Sequence, residues 1–366
     1  MHELFYDFLR FSLSDSSIEP ISVAKMDWNK LLEFGQKQSI VGVLFRGINK
    51  LDTTGSNLPD KYSVAEWFAN YQRIVENNKQ VNRDASKLTN FFYHKAKAKA
   101  CVLKGQGNAL MYPDPYMRTP GDIDLWTELD TISLLKFVKS LGVKLSVEYH
   151  HVDFSFFTKT IAEIHYFPSF MGNLFYEWRL RRYFDKVKED QFRKLVKLPD
   201  NAGAIFVPTD SFNRIFQMSH IMHHFFFEGI GLRQIIDYYY LLKRGFTQDE
   251  QRKEQKLLKR LSMYKFSSGI MWILKDILGL EDKYLLLPPH KDIGEMILKE
   301  IEYAGNFGHH DERYSFKGTS VYKQYITETY RNLHFAMEFP SETIWGRPIA
   351  RWWHMIYKAY LRYRIK

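Results

Sequence analysis

Asp122 and Asp124 stand two residues apart in Gly121-Asp122-Ile123-Asp124-Leu125, directly after the turn-forming Arg118-Thr119-Pro120-Gly121. The apolar run Ile123 to Trp126 predicts a strand, so both carboxylates point to one face with Cα atoms roughly 6.5–7 Å apart. Two carboxylates on one face repel each other and are costly to desolvate unless a cation joins them. A divalent metal is the natural cation. Magnesium takes hard oxygen ligands, commonly one or two carboxylates plus substrate phosphates. This donor pattern suits phosphoryl or nucleotidyl transfer by two ions about 3.5–4 Å apart, one lowering the pKa of the attacking hydroxyl and the other steadying the leaving pyrophosphate.

Such a site needs a third carboxylate from a neighbouring strand. Glu163, in Ala162-Glu163-Ile164-His165-Tyr166, is preferred because a three-strand meander brings its strand beside that of Asp122 and Asp124; Asp153 is the alternative. Upstream, the apolar run Cys101 to Leu103 closes on Lys104-Gly105-Gln106-Gly107, and a helix is expected from near Asn108. Two glycines at a strand-to-helix turn let backbone approach a ligand, and a helix amino terminus offers free N–H groups to phosphate.

Taken in order, Leu103-Lys104-Gly105, Tyr112-Pro113, Arg118, Gly121-Asp122-Ile123-Asp124-Leu125 and Glu163-Ile164-His165 resemble an uncharacterised bacterial nucleotidyltransferase family. That family falls in the superfamily that includes DNA polymerase beta and the aminoglycoside nucleotidyltransferases. The resemblance covers Ala100 to Phe167 and extends weakly to Leu232-Arg233-Gln234-Ile235-Ile236-Asp237. It implies transfer of a nucleoside monophosphate from a nucleoside triphosphate. Asp122, Asp124 and Glu163 would be the metal ligands, with Glu163 also activating the acceptor. Lys104, Gly105, Gln106, Gly107, Arg118 and Arg233 would bind the nucleotide, and the metal would be two magnesium ions, with manganese as an alternative. The wider superfamily usually places a serine after the first glycine, where Gln106 stands here.

Each residue also has a plainer role. The two aspartates can mark a solvated turn, and Lys104 and Arg118 can form surface salt bridges. Arg233 and Asp237, at i and i+4, fit a helix-surface ion pair; alternatively Arg233 reaches the triphosphate with Asp237 holding it. His220, His223 and His224 share a helix face but lack the glutamate of zinc hydrolase helices, so packing is the expectation for them. His165 either orients Glu163 or the acceptor, or stacks beside Tyr166. Trp345 to Lys366 interleaves aromatic residues with six basic ones and no acid. Such a helix can lie on an anionic membrane or stack on nucleic acid, but the expectation is an aromatic side packed inward and arginines solvated.

These groups need a scaffold. The chain has 366 residues, 45% hydrophobic and 16% aromatic, which excludes a mainly disordered chain. Three- and four-residue apolar spacing predicts helices from the start to about Ala100, including a long one over Lys61 to Lys95 beyond a loop at Asp52 to Pro59. Strands are expected at Leu145 to Tyr149, Val152 to Phe157 and Ile161 to Phe167, with a helix over Leu129 to Leu141 before them. From about Phe175 helical spacing dominates. It predicts helices near Ser211 to Phe227, Leu232 to Arg244, Gln248 to Ser262, Phe266 to Leu278, Asp292 to Tyr303 and Ser320 to Met337, with a polar loop at Gly305 to Gly318. The expected fold is α+β: a polymerase-beta-like nucleotidyltransferase core at 98–207, a small mixed sheet with flanking helices, enclosed by helical regions at 1–97 and 208–366.

A single cysteine, Cys101, excludes a disulfide framework and fits a reducing, cytoplasmic setting. No signal peptide or spanning helix is expected. The formal charge of +10 favours polyanions without naming one. The leading expectation is a nucleotidyltransferase acting on a small-molecule or protein acceptor. RNA ends are the alternative acceptor, by resemblance to abortive-infection nucleotidyltransferase toxins. The third expectation, motivated by Gln106, is an inactive nucleotide-binding scaffold.

Overall fold

The structure, a computed structural model, describes residues 2–15, 20–51, 58–143, 145–308, 326–327 and 330–365. Most of the loop expected at Asp52 to Pro59, most of the Gly305 to Gly318 segment and part of the helix expected at Ser320 to Met337 lie outside the described residues.

Among the described residues seven strands form one mixed sheet: β1 (Ala100–Val102), β2 (Ile123–Thr127), β3 (Ser146–Val147), β4 (His151–Asp153), β5 (Ala162–His165), β6 (Lys194–Lys197) and β7 (Ala204–Val207), in the order β3-β4-β5-β2-β1-β7-β6. β1 and β2 are antiparallel, with Val102 opposite Leu125. The expected meander is present as β3-β4-β5, and its third strand lies beside β2 in parallel, with Asp124 opposite Glu163 and Trp126 opposite His165.

The helices are α1 (His2–Leu13), α2 (Trp28–Gln38), α3 (Val41–Ile48), α4 (Lys61–Phe91), α5 (Gln106–Ala109), α6 (Thr131–Ser140), α7 (Leu174–Val187), α8 (Asp210–Phe227), α9 (Leu232–Lys243), α10 (Gln248–Arg260), α11 (Tyr264–Trp272) and α12 (Lys291–Ala304), followed by a last helix at Gly346–Arg364. Side-chain caps fix several starts by satisfying N–H groups with no helical partner. Asp60 accepts from Tyr62 and Ser63 of α4, Asp130 from Ile132 and Ser133 of α6, and Thr209 from Phe212 of α8.

Period-two alternation sorts the central strands between two cores. Ala100, Val102, Ile123, Leu125 and Ile164 pack with Ala85, Leu88 and Phe92, at the end of the α4 rod. The opposite face sends Cys101, Leu103 and Trp126 into a second core, where Trp126 stacks on Phe212 of α8 at 5.6 Å between ring centroids. Asp124, Glu163 and His165 belong to this second face, which is therefore the one turned towards α8. The second core also joins the first three helices to α8, α9, α11 and α12. Gln38 stitches these regions together, donating to the Ile301 carbonyl at 3.0 Å and accepting from the Leu232 N–H at 2.9 Å.

The α+β expectation holds, with three differences. β6 and β7 lie where helix was expected. β6 reads Lys-Leu-Val-Lys with Leu195 exposed, so it lacks an alternating apolar face, and a turn with left-handed Asp200 and Asn201 joins it to β7. The helix expected from Asn108 starts at Gln106 and lasts four residues. The last helix turns the opposite way from expectation, with its aromatic residues outward.

Candidate active site

Lys104 leaves β1 beside β2, where the Leu103 N–H donates to the Asp124 carbonyl at 3.0 Å. The lysine Nζ lies 3.1 Å from Asp124 Oδ2 and donates to His220 Nε2 at 2.9 Å. Burial alone would push the ammonium down, but Asp124, Asp122 and Glu163 outweigh it and hold its pKa above the ordinary lysine value. The other Asp124 oxygen, Oδ1, accepts from His165 Nε2 at 3.0 Å. Asp124 is buried, which opposes ionisation, yet the Lys104 charge and the His165 hydrogen bond keep its carboxyl below the usual range.

Glu163 follows the same logic. Its burial is overcome by the hydrogen bond from His165 and by the charges of His165 and His151, so its pKa is lowered. His165 Nε2 lies 3.5 Å from Glu163 Oε2, and His151 Nδ1 lies 3.4 Å from the same oxygen. His165 is opposed by burial, but its bonds to the two carboxylates push it up to about 9. A protonated imidazole and an ammonium thus hold Asp124 and Glu163 in the protein alone. Asp153, the alternative third carboxylate, sits on β4, one strand farther from Asp124, and its Oδ1 is 3.2 Å from His151 Nε2.

The cleft over these groups has a volume of about 860 Å³ and is lined by Lys104, Asp122, Asp124 and Glu163. Among the described residues, seven histidines line it: His150, His151, His165, His220, His223, His224 and His354. Burial drives His150, His220 and His223 well below the ordinary imidazole value, with neighbouring cationic groups adding to it, so these rings are neutral. The histidines of α8 are therefore site walls as well as packing groups. His223 packs against Phe170 at 4.0 Å, and His224 Nδ1 lies 2.9 Å from Glu228 Oε2. His150 and His151 had no motif to mark them; adjacency to the strand before Glu163 was the only available signal.

Asp124 Oδ, Glu163 Oε and His165 N place ligand atoms within 4.8 Å of one another, close enough to converge on one divalent ion. Carboxylate oxygens suit magnesium, and one imidazole nitrogen extends the set to manganese. Asp122 lines the acidic edge of the cleft immediately before β2, outside the three residues whose ligand atoms converge.

A smaller cavity adjoins the cleft, with Lys104, Gly105, Asp122, Arg118 and Arg233 in its walls. Gly105 adopts φ +57°, a left-handed conformation that a side chain would strain. Gly107 instead packs closely on β7: a Cβ there would lie 3.0 Å from Val207. Gln106 turns away from the cavity. Its side-chain N–H groups donate to Asn82 and, at 3.4 Å, to Asn78, both in α4.

Arg118 and Asp237 differ most from the expected arrangement. Arg118 Nε and Nη2 donate to Asp237 Oδ1 and Oδ2, each at 2.8 Å, and both residues are buried. Tyr112 and Asn108 donate to the same carboxylate at 2.6 and 3.2 Å. Asp237 thus holds Arg118, not Arg233 one turn before it. Arg233 Nη1 donates to the Thr119 carbonyl at 3.2 Å, beside Gly121. Burial and the Arg118 charge lower its pKa, with Asp237 and Asp122 opposing.

Among the described residues no helix is long and apolar enough to cross a membrane. No curated protein matches the chain. Among solved structures, an antigenic nucleotidyltransferase-like protein from Paracoccidioides brasiliensis is similar at 14% identity over 60% of this chain and 97% of that one, with a TM-score of 0.32. A family model described as uncharacterised nucleotidyltransferase matches residues 24–279. That span is 256 of 366 residues and contains the acidic edge, the glycine turn and the Arg118–Asp237 pair, so the chain belongs to the uncharacterised nucleotidyltransferase family.

Proposed function

We propose that the cleft transfers a nucleoside monophosphate from a nucleoside triphosphate to an acceptor hydroxyl, with Asp122, Asp124 and Glu163 holding divalent ions. The observation that carries this reading is the parallel register of β2 and β5, which sets Asp124 opposite Glu163 with Asp122 at the head of the same strand. The polymerase-beta-like core, placed at 98–207 between helical regions, rests on the same register together with the glycine turn after β1. When bound, the ions neutralise the phosphates and lower the pKa of the acceptor hydroxyl.

The chain's own residues do the rest. Lys104 supplies a cation beside Asp124 that can swing to a phosphate oxygen. Gly105 brings backbone close to the phosphates, Arg118 and Asp237 form a neutral pair in the wall of the adjoining cavity, and Arg233 gives that cavity positive charge. Glu163 takes the proton of the acceptor hydroxyl. The acceptor oxygen forms its bond to the α-phosphorus as the bond to the bridging oxygen breaks, and pyrophosphate leaves with that electron pair. The cleft has room for a small molecule or an extended side chain as acceptor.

The orientation of Gln106 supports a second reading, a nucleotide-binding protein without turnover, because its side chain is committed to α4 and contributes nothing to the phosphates. Pyrophosphate release separates the two. Incubation with each nucleoside triphosphate, magnesium or manganese, and pooled small-molecule and peptide acceptors should release pyrophosphate with the wild type and not with Glu163→Gln. Tight metal-dependent binding with no release from any pool would favour the scaffold.

A further inference from the structure

The last helix, Gly346–Arg364, is amphipathic in the reverse sense to a helix on a soluble protein. Arg347, Arg351, His354 and Lys358 recur every three or four residues and line the cleft. At 100° per residue, Ile349, Trp352, Ile356, Tyr360 and Tyr363 fall about 180° away, on the opposite side. That side is open: Trp352 is 68% exposed, Ile356 59% and Tyr363 73%, and Trp345, just before the helix, 68%. Water normally faces the charged side of a surface helix, and contiguous exposed apolar surface marks an interaction site.

We propose that this outer face lies in the interface of an anionic membrane. Three observations choose that occupant. Residues 345–366 contain no acid, and Arg362 and Arg364 are exposed beside the apolar stripe, which complements anionic headgroups. The stripe mixes aliphatic Ile349 and Ile356 with Trp and Tyr. Acyl chains accept both kinds, whereas nucleotide bases stack on the aromatic ones only. A second copy would set this acid-free helix against its own positive charges. α7 touches the last helix where the Arg181 guanidinium lies 5.4 Å from the Tyr357 ring, and it carries exposed aromatic residues of its own. There Phe175 and Trp178 are half exposed, with Arg179 and Arg182 over their rings.

The test is co-sedimentation of the full chain with vesicles of phosphatidylcholine alone and of phosphatidylcholine mixed with phosphatidylglycerol, at low and high salt. The wild type should bind the anionic vesicles. Trp352→Ser with Ile356→Ser, which keeps every charge and changes exposed positions only, should bind them roughly tenfold more weakly or worse, with an unchanged melting temperature. Arg362→Gln with Arg364→Gln should weaken binding by a similar factor and flatten its salt dependence. No binding of the wild type to anionic vesicles at low salt overturns the proposal, and so does equal binding by the serine variant. A wild-type dimer that the serine variant dissolves, without vesicle binding, assigns the face to a second copy. Binding to single-stranded RNA without vesicle binding assigns it to nucleic acid. Either of these results also overturns it.

Discussion

Asp237 grips Arg118 with both carboxylate oxygens at 2.8 Å, in a buried pair that joins α9 to the turn before β2. The carboxylate also satisfies Tyr112 and Asn108, so one side chain completes four hydrogen bonds.

Removing one partner of a buried pair strands the other charge. Asp237→Ala is expected to destabilise the fold by about 3–5 kcal/mol in urea unfolding, whereas Arg118→Met with Asp237→Leu should lose much less. An equal loss in the single and double variants would show that the charge pairing is not what the site depends on.

The same turn is braced from α3. A Cβ on Gly42 would lie 2.3 Å from the Met117 carbonyl oxygen, a backbone atom with little freedom to yield. Gly42→Ala should therefore cost about 1–3 kcal/mol and shift Arg118 with it. A variant as stable as the wild type would mean that this contact relaxes without strain.

Glu342 predicts how stability changes with pH. Complete burial raises its pKa and the nearby Glu177 adds to this, while the Gly172 N–H, donating at 2.9 Å, opposes; the net position is about 7 against an ordinary 4.5. The folded protein thus binds this proton more tightly than the unfolded chain. Its stabilisation is whole below pH 4.5 and is lost as pH rises through 7, a change of about 3 kcal/mol. Glu342→Gln removes the titration, so its stability relative to the wild type should rise by that amount between pH 4.5 and about 8. Parallel stability curves for the two proteins would contradict this.

Lys104 makes a prediction about the metal. Its ammonium is a near counter-charge to buried Asp124, 3.1 Å away, so Lys104→Met should destabilise the metal-free protein by about 3 kcal/mol. A divalent ion on the same carboxylate would replace the lost charge. Manganese should then raise the melting temperature of the variant more than that of the wild type. Equal shifts would mean that lysine and ion do not serve the same carboxylate.

The features legible in the sequence are those set by short-range geometry. Asp122 and Asp124 share a face because a strand alternates, and Glu163 joins them because its strand closes a meander whose members are close in the chain. Arg118 and Asp237 were not legible as a pair. They lie 119 residues apart, and Arg233 offers a nearer partner one helical turn from Asp237. The α8 histidines read as packing groups because nothing local shows that α8 crosses the carboxylate face. The period of the last helix was readable but its orientation was not, since which stripe faces inward depends on the cleft, not on the helix.

The central claim is that Asp122, Asp124 and Glu163 bind a nucleoside triphosphate through a divalent ion. Calorimetric titration with each triphosphate, with and without magnesium, tests it most directly in the wild type and in Asp122→Asn with Asp124→Asn. Wild-type binding should require the metal, and the asparagine variant should lose it while remaining folded. Metal-independent binding of equal strength in both proteins would contradict the site.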